Sequence, residues 1–154
     1  MALRLAVVAP SAVVALLPLL HDAEEDDERV KAALCNPAHT AYSAEEAGAQ
    51  IGAAVMAWAA VESELLLLAV APTHRRQGYG RQMVAALVAE ARQRGTAALL
   101  VGTGNASWAS IALYQQCGFR MDHIRRDYFA YVQPPISENG IPLRDMLVLR
   151  MELG

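Results

Sequence analysis

The chain has 154 residues, 55% of them hydrophobic and 19% charged, with a formal net charge of −3. That length favours one domain, residues 1–154, able to bury a core without disulfide or metal staples. A net acidic balance with no long basic run excludes a surface built to wrap nucleic acid.

Residues 3–8 suit a first strand. The run from Leu5 to Leu20 is mostly apolar behind Arg4, yet it falls short of the roughly 20 residues of a membrane span, and Pro10 and Pro18 interrupt it. No small-x-small cleavage pattern precedes the acidic stretch beyond it. It reads instead as a strand, a turn at Ala9-Pro10-Ser11 and a buried helix capped by Ser11 and running toward Leu20, with no membrane partner. Residues 24–34 predict a second short helix, ended near Asn36-Pro37. Residues 40–43 and 50–58 read as a hairpin around Glu45-Glu46-Ala47-Gly48, and residues 64–70 as a dense apolar strand stopped by Pro72.

Residues 80–94 form the clearest helix. Met83, Val84, Leu87, Val88 and Ala91 share one face, and Gly95 stands where a glycine terminates a helix. Residues 97–101 predict a strand, 107–117 a helix closed by Gly118, and 119–124 and 146–153 the last two strands. The order implies a mixed α/β domain with a central sheet. Cys35 and Cys117 form no C-x-x-C, so two reduced thiols in a cytoplasmic protein are expected. His21, His39, His74 and His123 lack metal-ligand spacing, and no metal is expected.

The chemistry concentrates in Val70-Ala71-Pro72-Thr73-His74-Arg75-Arg76-Gln77-Gly78-Tyr79-Gly80-Arg81. A strand ends, a basic turn comes next, and glycines open an amphipathic helix. A helix start carries unpaired N–H groups and the positive end of the dipole, so it attracts phosphate. Glycines let a ligand approach the backbone, and Arg75, Arg76 and Arg81 add positive charge. A pyrophosphate site is expected. The Walker spacing is absent, and Met83 stands where a dinucleotide fingerprint requires its third glycine, which disfavours a nucleotide-binding or methyl-transfer domain.

The pattern V-x-P-x-x-R-x-x-G-x-G between strand and helix resembles the acetyl-CoA motif of the GNAT superfamily, whose core is [RQ]-x-x-G-x-[GA]. Leu113-Tyr114-Gln115-Gln116-Cys117-Gly118-Phe119 resembles the L-Y-x-x-x-G-F stretch that closes the next helix in those proteins. The resemblance implies a strongly twisted mixed sheet with helices on both faces, splayed between its fourth and fifth strands, with acetyl-CoA entering the split as co-substrate. Backbone groups of Leu68, Ala69 and Val70 would hold the pantetheine arm. The turn Arg75, Arg76, Gln77, Gly78, Tyr79, Gly80 and Arg81 would hold the pyrophosphate.

The same resemblance assigns Tyr114 to protonating the departing thiolate; otherwise Tyr114 is a core aromatic. Family members commonly place an asparagine seven residues before that tyrosine. Here Ser107 has that spacing and Asn105 lies two residues upstream, so Asn105, presented by a loop at residues 102–105, or Ser107 would contact pantetheine. Glu64 stands where several family members carry a general base. Strand alternation groups it with Leu66 and Leu68, an apolar setting that raises a carboxyl pKa. The other reading is a solvated strand end beside Glu62.

The acidic run Asp22-Ala23-Glu24-Glu25-Asp26-Asp27-Glu28 is either a solvated helix start or an acceptor-site wall suited to a cationic amine. The long stretch from Asp127 to Asp145 resembles a loop found in one group of bacterial GNAT proteins. It suits acceptor selectivity, with a dimer contact or a plain surface loop as alternatives. The expected partner is an amine, small or peptidic, acetylated by direct attack. An acyl-Cys117 route is disfavoured, because the nearest histidine, His123, lies along the following strand. The rival reading is a non-catalytic acyl-CoA sensor on the same fold, and a homodimer is compatible with either.

Overall fold

The computed structural model describes residues 2–24 and 26–154. Among these residues a central sheet holds strands β1 (Arg4–Val7), β2 (His39–Glu46), β3 (Ala49–Ala57), β4 (Glu62–Val70), β5 (Ala98–Gly104), β6 (Arg120–Arg125) and β9 (Met146–Glu152). Their order across the sheet is β1-β2-β3-β4-β5-β9-β6. Only β4 and β5 run parallel. A two-stranded ribbon, β7 (Ser137–Glu138) with β8 (Ile141–Pro142), stands apart. Both sheet edges are modest: β1 has four residues, and β6 carries Arg120, Asp122 and Arg125 with a register shift at Asp122.

Each face of the sheet carries its own core. On one, α3 (Tyr79–Arg94) and α4 (Trp108–Gln116) bury Met83, Val84, Leu87 and Tyr114 against Ala54, Met56, Leu99 and Leu149. On the other, a 3-10 segment (Pro10–Leu16), α1 (Leu17–Leu20) and α2 (Asp27–Cys35) bury Leu16, Leu20, Val30 and Leu34 against Ala53, Val55, Leu67 and Ala69. Helices therefore cover both faces, as the resemblance implied. Alanines on β2 and β3 keep the sheet surface flat, so large helix residues sit close to it.

Several local expectations need correction. Ser11 caps nothing: the residue before the first helical segment is Ala9, in extended backbone, and Pro10 is its first residue. The segment is 3-10; at its end Pro18 lacks the N–H that would bond the Val14 carbonyl in an α-helix, and that carbonyl accepts from the Leu17 N–H instead. The second helix starts at Asp27, capped by Asp26, which accepts from the Glu28 N–H at 2.9 Å; Glu24 stays extended outside it. Residues 102–104 are strand, not loop. The hairpin turn is only Ala47-Gly48, both at positive φ, which matches the twist of the flanking strands.

Gly52 on β3 fits because it lacks a side chain. A Cβ there would lie 2.4 Å from the Ala69 carbonyl oxygen and 2.9 Å from the Met83 sulfur. Since the nearer atom is backbone, it cannot swing aside. Gly52→Ala is expected to cost about 1–3 kcal/mol of stability, read as a lower urea midpoint at unchanged slope.

Candidate active site

The site begins with one irregularity in β4. Val55 pairs with Leu67 but the next β3 residue, Met56, pairs with Leu65, so Leu66 is an extra residue on the β4 side. Such a bulge bends a strand and re-aims the side chains beyond it. The parallel ladder to β5 covers Glu62–Leu65 against Ala98–Val101 and goes no further. From Leu66 onward β4 departs from β5, the splay expected from the sequence.

The bulge also changes which side chains share a face. Leu65 joins the α3 face and Leu67 the opposite one, while Leu68 and Val70 return to the α3 face. Glu64 therefore groups with Leu66, as expected, but not with Leu68. The backbone groups are divided in the same way. The Ala69 carbonyl points at β3 beside Gly52. Alternation turns the backbone groups of Leu68 and Val70 toward the splay. Of the three residues expected to hold a pantetheine arm, Ala69 is thus committed to β3. The Val70 carbonyl already accepts from Arg75 Nε at 3.0 Å.

A cleft of about 490 Å³ opens where the strands part. Leu65, Leu66, Leu67 and Leu68 line one side and Val101, Gly102, Thr103 and Gly104 the other. Glu64 and Tyr114 both reach it. Glu64 makes no hydrogen bond or ion pair among the described residues. Burial raises its pKa, against smaller lowering effects of Arg125 and His39. The Tyr114 ring is 7% exposed and packs edge-on against Phe119, centroids 5.8 Å apart. Its hydroxyl has no partner among the described residues and opens onto the cleft. Burial, with a smaller effect of Cys117, pushes the phenol pKa upward, so it stays protonated across the working range.

Beyond Val70, the basic turn leads into α3. Gly78 precedes the helix at φ +83°, where any side chain is strained, so its glycine is required by the backbone alone. Gly80 has room: a Cβ would meet only Leu113 at 3.5 Å and Val70 at 3.8 Å. The N–H groups of Tyr79, Gly80 and Arg81 lack intrahelical acceptors. The arginines differ in availability. Arg75 is bridged to Asp22 at 2.6 Å, Arg81 donates to Gln116, and Arg76 is exposed with φ +61°. Gln77 donates to the Thr73 carbonyl at 3.3 Å, and the Tyr79 hydroxyl donates to Glu46.

Asn105 stands differently from the expectation of a loop-borne contact. Its carbonyl oxygen accepts from the N–H groups of Arg144 and Asp145 at 2.9 and 3.0 Å, and its amide donates to the Pro142 carbonyl at 3.1 Å. Both ends of the side chain are thus committed to the C-terminal segment. Ser107 lines the cleft and donates to Glu138 at 2.7 Å. Of the acidic run, Asp22 and Glu24 line the cleft, Asp26 caps α2, and Glu25 lies outside the described residues. Cys117 faces a separate groove with Arg81, Val88 and Met151.

The far wall is the segment between β6 and β9, which contributes Tyr128, Phe129, Tyr131 and Ile136. Sequence reasoning marked this stretch but missed the β7–β8 ribbon, whose turn is Asn139-Gly140, both at positive φ. That dipeptide is a strong short-range hairpin signal. The bulge at Leu66 left no comparable mark in the sequence.

A splayed parallel pair, a glycine-opened helix after the parting strand and a buried tyrosine lining the split make up the site. A family model described as the acetyltransferase (GNAT) family matches residues 12–119. The chain belongs to the GNAT family. A GNAT family acetyltransferase from Elizabethkingia anophelis, solved with acetyl-CoA bound, is 31% identical with a TM-score of 0.89, covering 98% of each chain. The uncharacterized N-acetyltransferase YvbK of Bacillus subtilis (strain 168) is 37% identical over 91 residues, 58% of this chain and 59% of its own length. The ribosomal protein bS18 alanine N-acetyltransferase of Escherichia coli (strain K12) is 40% identical over 68 residues, 44% of this chain and 46% of its own. The chain thus matches about half of the length of these curated relatives. Among the described residues of this GNAT chain, no helix is long and apolar enough to cross a membrane, and no cluster of His, Cys, Asp and Glu is disposed to hold a metal.

The raised Glu64 pKa has a consequence for stability. A carboxyl whose pKa is higher in the folded than in the unfolded state favours folding below the unfolded value, and that contribution is lost as pH rises through the folded value. Glu64→Gln is therefore expected to melt higher than the parent at pH 8, with the gap closing toward pH 4. A constant gap across that range would contradict the assignment.

Proposed function

We propose that this protein transfers the acetyl group of acetyl-CoA to a primary amine by direct attack in a ternary complex. The observation that carries this is the placing of Glu64 and Tyr114 in one cleft, at the point where β4 leaves β5. The acetyl-CoA-bound relative from Elizabethkingia anophelis supports the donor. The residues fit that donor: the Leu68 backbone and the Val70 N–H are turned to a pantetheine arm as a missing strand would need, and the start of α3 offers N–H groups to pyrophosphate.

In this reading Glu64 takes a proton from the bound ammonium, directly or through water. The free amine attacks the thioester carbonyl, and a backbone N–H near Leu68–Val70 stabilises the oxyanion. As the C–S bond breaks, the Tyr114 hydroxyl donates to the leaving sulfur. The buried site disfavours a lasting phenolate, so the tyrosine recovers its proton from the new amide nitrogen as the thiol forms. A thiolate with pKa near 8.5 leaves acceptably without help, so this assistance is useful rather than indispensable.

The primary test is thiol release from acetyl-CoA across a panel of amines, with calorimetry for CoA. Binding of CoA with no thiol release from any amine would instead favour the sensor reading. Tyr114→Phe is expected to lower kcat by roughly 10²-fold or less, with CoA affinity retained. Full activity would reduce Tyr114 to a packing residue. Arg76→Gly separates binding from folding, because glycine suits the positive φ while removing the free guanidinium. It should weaken CoA roughly tenfold without lowering the melting temperature; unchanged affinity would move the phosphate contacts to the helix N–H groups alone.

A further inference from the structure

The acceptor side of the cleft has its own chemistry. The far wall is pinned to β5 and the start of α4 through three side chains: Asn105, Ser107 bonded to Glu138, and Asn139, which donates to the Ala106 carbonyl at 2.8 Å. Packing leaves little slack behind it. A Cβ on Gly104 would lie 2.7 Å from Leu143, and one on Gly102 would lie 2.5 Å from the Met146 sulfur. The wall is a formed surface, and Tyr114 turns an unpartnered hydroxyl into the same cleft from a 7% exposed position.

Aromatic rings dominate that wall. Tyr128, Phe129 and Tyr131 touch one another with centroids 5.0, 6.1 and 6.2 Å apart. Arg29 stacks 4.0 Å from the Tyr131 centroid, and Glu24 accepts the Tyr131 hydroxyl at 2.8 Å, so the rings are braced. Ile136 and Leu143 extend the apolar surface.

The charged side chains that line the cleft are acidic, and Arg125 and His39 act on Glu64 from outside the lining. Asp22, Glu24, Glu64 and Glu138 line the cleft, and among the described residues no Lys, Arg or His does. Two of these acids carry a cationic partner, Asp22 with Arg75 and Glu24 with Arg29, while Glu138 accepts from the Ser107 hydroxyl. Glu64, without a hydrogen-bond partner among the described residues and at the splay, is the acid placed to receive the reacting ammonium. The ring wall suits an apolar body, and among the described residues no cationic side chain lines the cleft to receive a carboxylate.

We infer that the acceptor is a monoamine of the arylalkylamine type: one primary ammonium on an apolar, ring-sized body without a carboxylate. This rests on the acetyl-transfer reading. The ammonium sits at Glu64, and the body lies against Phe129 and its neighbouring tyrosines. An amino acid is rejected because its carboxylate meets acids in a partly dry cleft. A diamine without a ring leaves the aromatic wall uncovered.

The test compares kcat/KM for phenethylamine, L-phenylalanine, putrescine and a short peptide with an N-terminal alanine, using the full chain and acetyl-CoA. Phenethylamine is expected to exceed L-phenylalanine by about 10²-fold, since like-charge juxtaposition is costly, and to exceed the other two. L-phenylalanine, putrescine or the peptide matching or beating it overturns the inference while acetyl transfer stands. No thiol release from any of the four, with acetyl-CoA bound by calorimetry, overturns transfer and this inference together. Phe129→Ala should raise KM for phenethylamine about tenfold with kcat little changed, and Phe129→Leu should recover most of the loss. Melting and acetyl-CoA affinity check that each variant is folded. An unchanged KM in Phe129→Ala places the acceptor body elsewhere and overturns the assignment.

Discussion

Everything proposed for this protein depends on where a hydrogen-bonded ladder stops. Strand β4 pairs with β5 through Leu65 and Val101 and then parts from it. A parallel pair normally sits deep in a sheet with both partners satisfied. Here a single extra residue, Leu66, bends one strand away and leaves the backbone groups of Leu68 and the Val70 N–H turned toward the gap, the Val70 carbonyl being taken by Arg75. Unpaired peptide groups in a partly buried position are costly unless something bonds them. That need favours a ligand with amides of its own, and the family's donor carries such an arm.

The rest of the molecule holds this gap open and furnishes it. The core under α3 and α4 fixes one side, so that Tyr114 reaches the cleft from a packed face. The core under α1 and α2 carries the acidic residues 22 and 24 to the opposite rim. Burial then raises two pKa values: the Glu64 carboxyl is shifted upward, as the proposed base requires, and the Tyr114 phenol stays protonated, as the proposed donor requires.

Much of this is legible in the chain. Apolar periodicity locates α3, and the glycines after Val70 mark the start of that helix, since the left-handed backbone at Gly78 needs glycine there. Glu64 and Tyr114 stand out through resemblance, and the structure brings them to one cleft. The errors have physical origins. Alternation carried through residues 64–68 assumes a regular strand, and one inserted residue reverses the facing of Leu68. Ser11 has the residue type of a cap, while the prolines on either side decide the helix instead. Asn105 has nearly the spacing of a ligand contact. Its partners lie 37 to 40 positions away along the chain, beyond the reach of any local pattern.

The two outer strands have a bearing on how copies of the protein meet. A sheet edge offers a row of unsatisfied donors and acceptors to any passing strand. At one end, β1 has four residues, too few to template a long ladder. At the other, β6 carries Arg120, Asp122 and Arg125, and its register shift breaks the straight run that edge-to-edge stacking requires. Exposed Met121 and Ile124 on that strand are thus set among charges and an irregular backbone. The sheet that tolerates an unzipped seam at its centre is guarded at its margins against recruiting a foreign strand, so the gap is kept for a small ligand and growth by strand addition is discouraged.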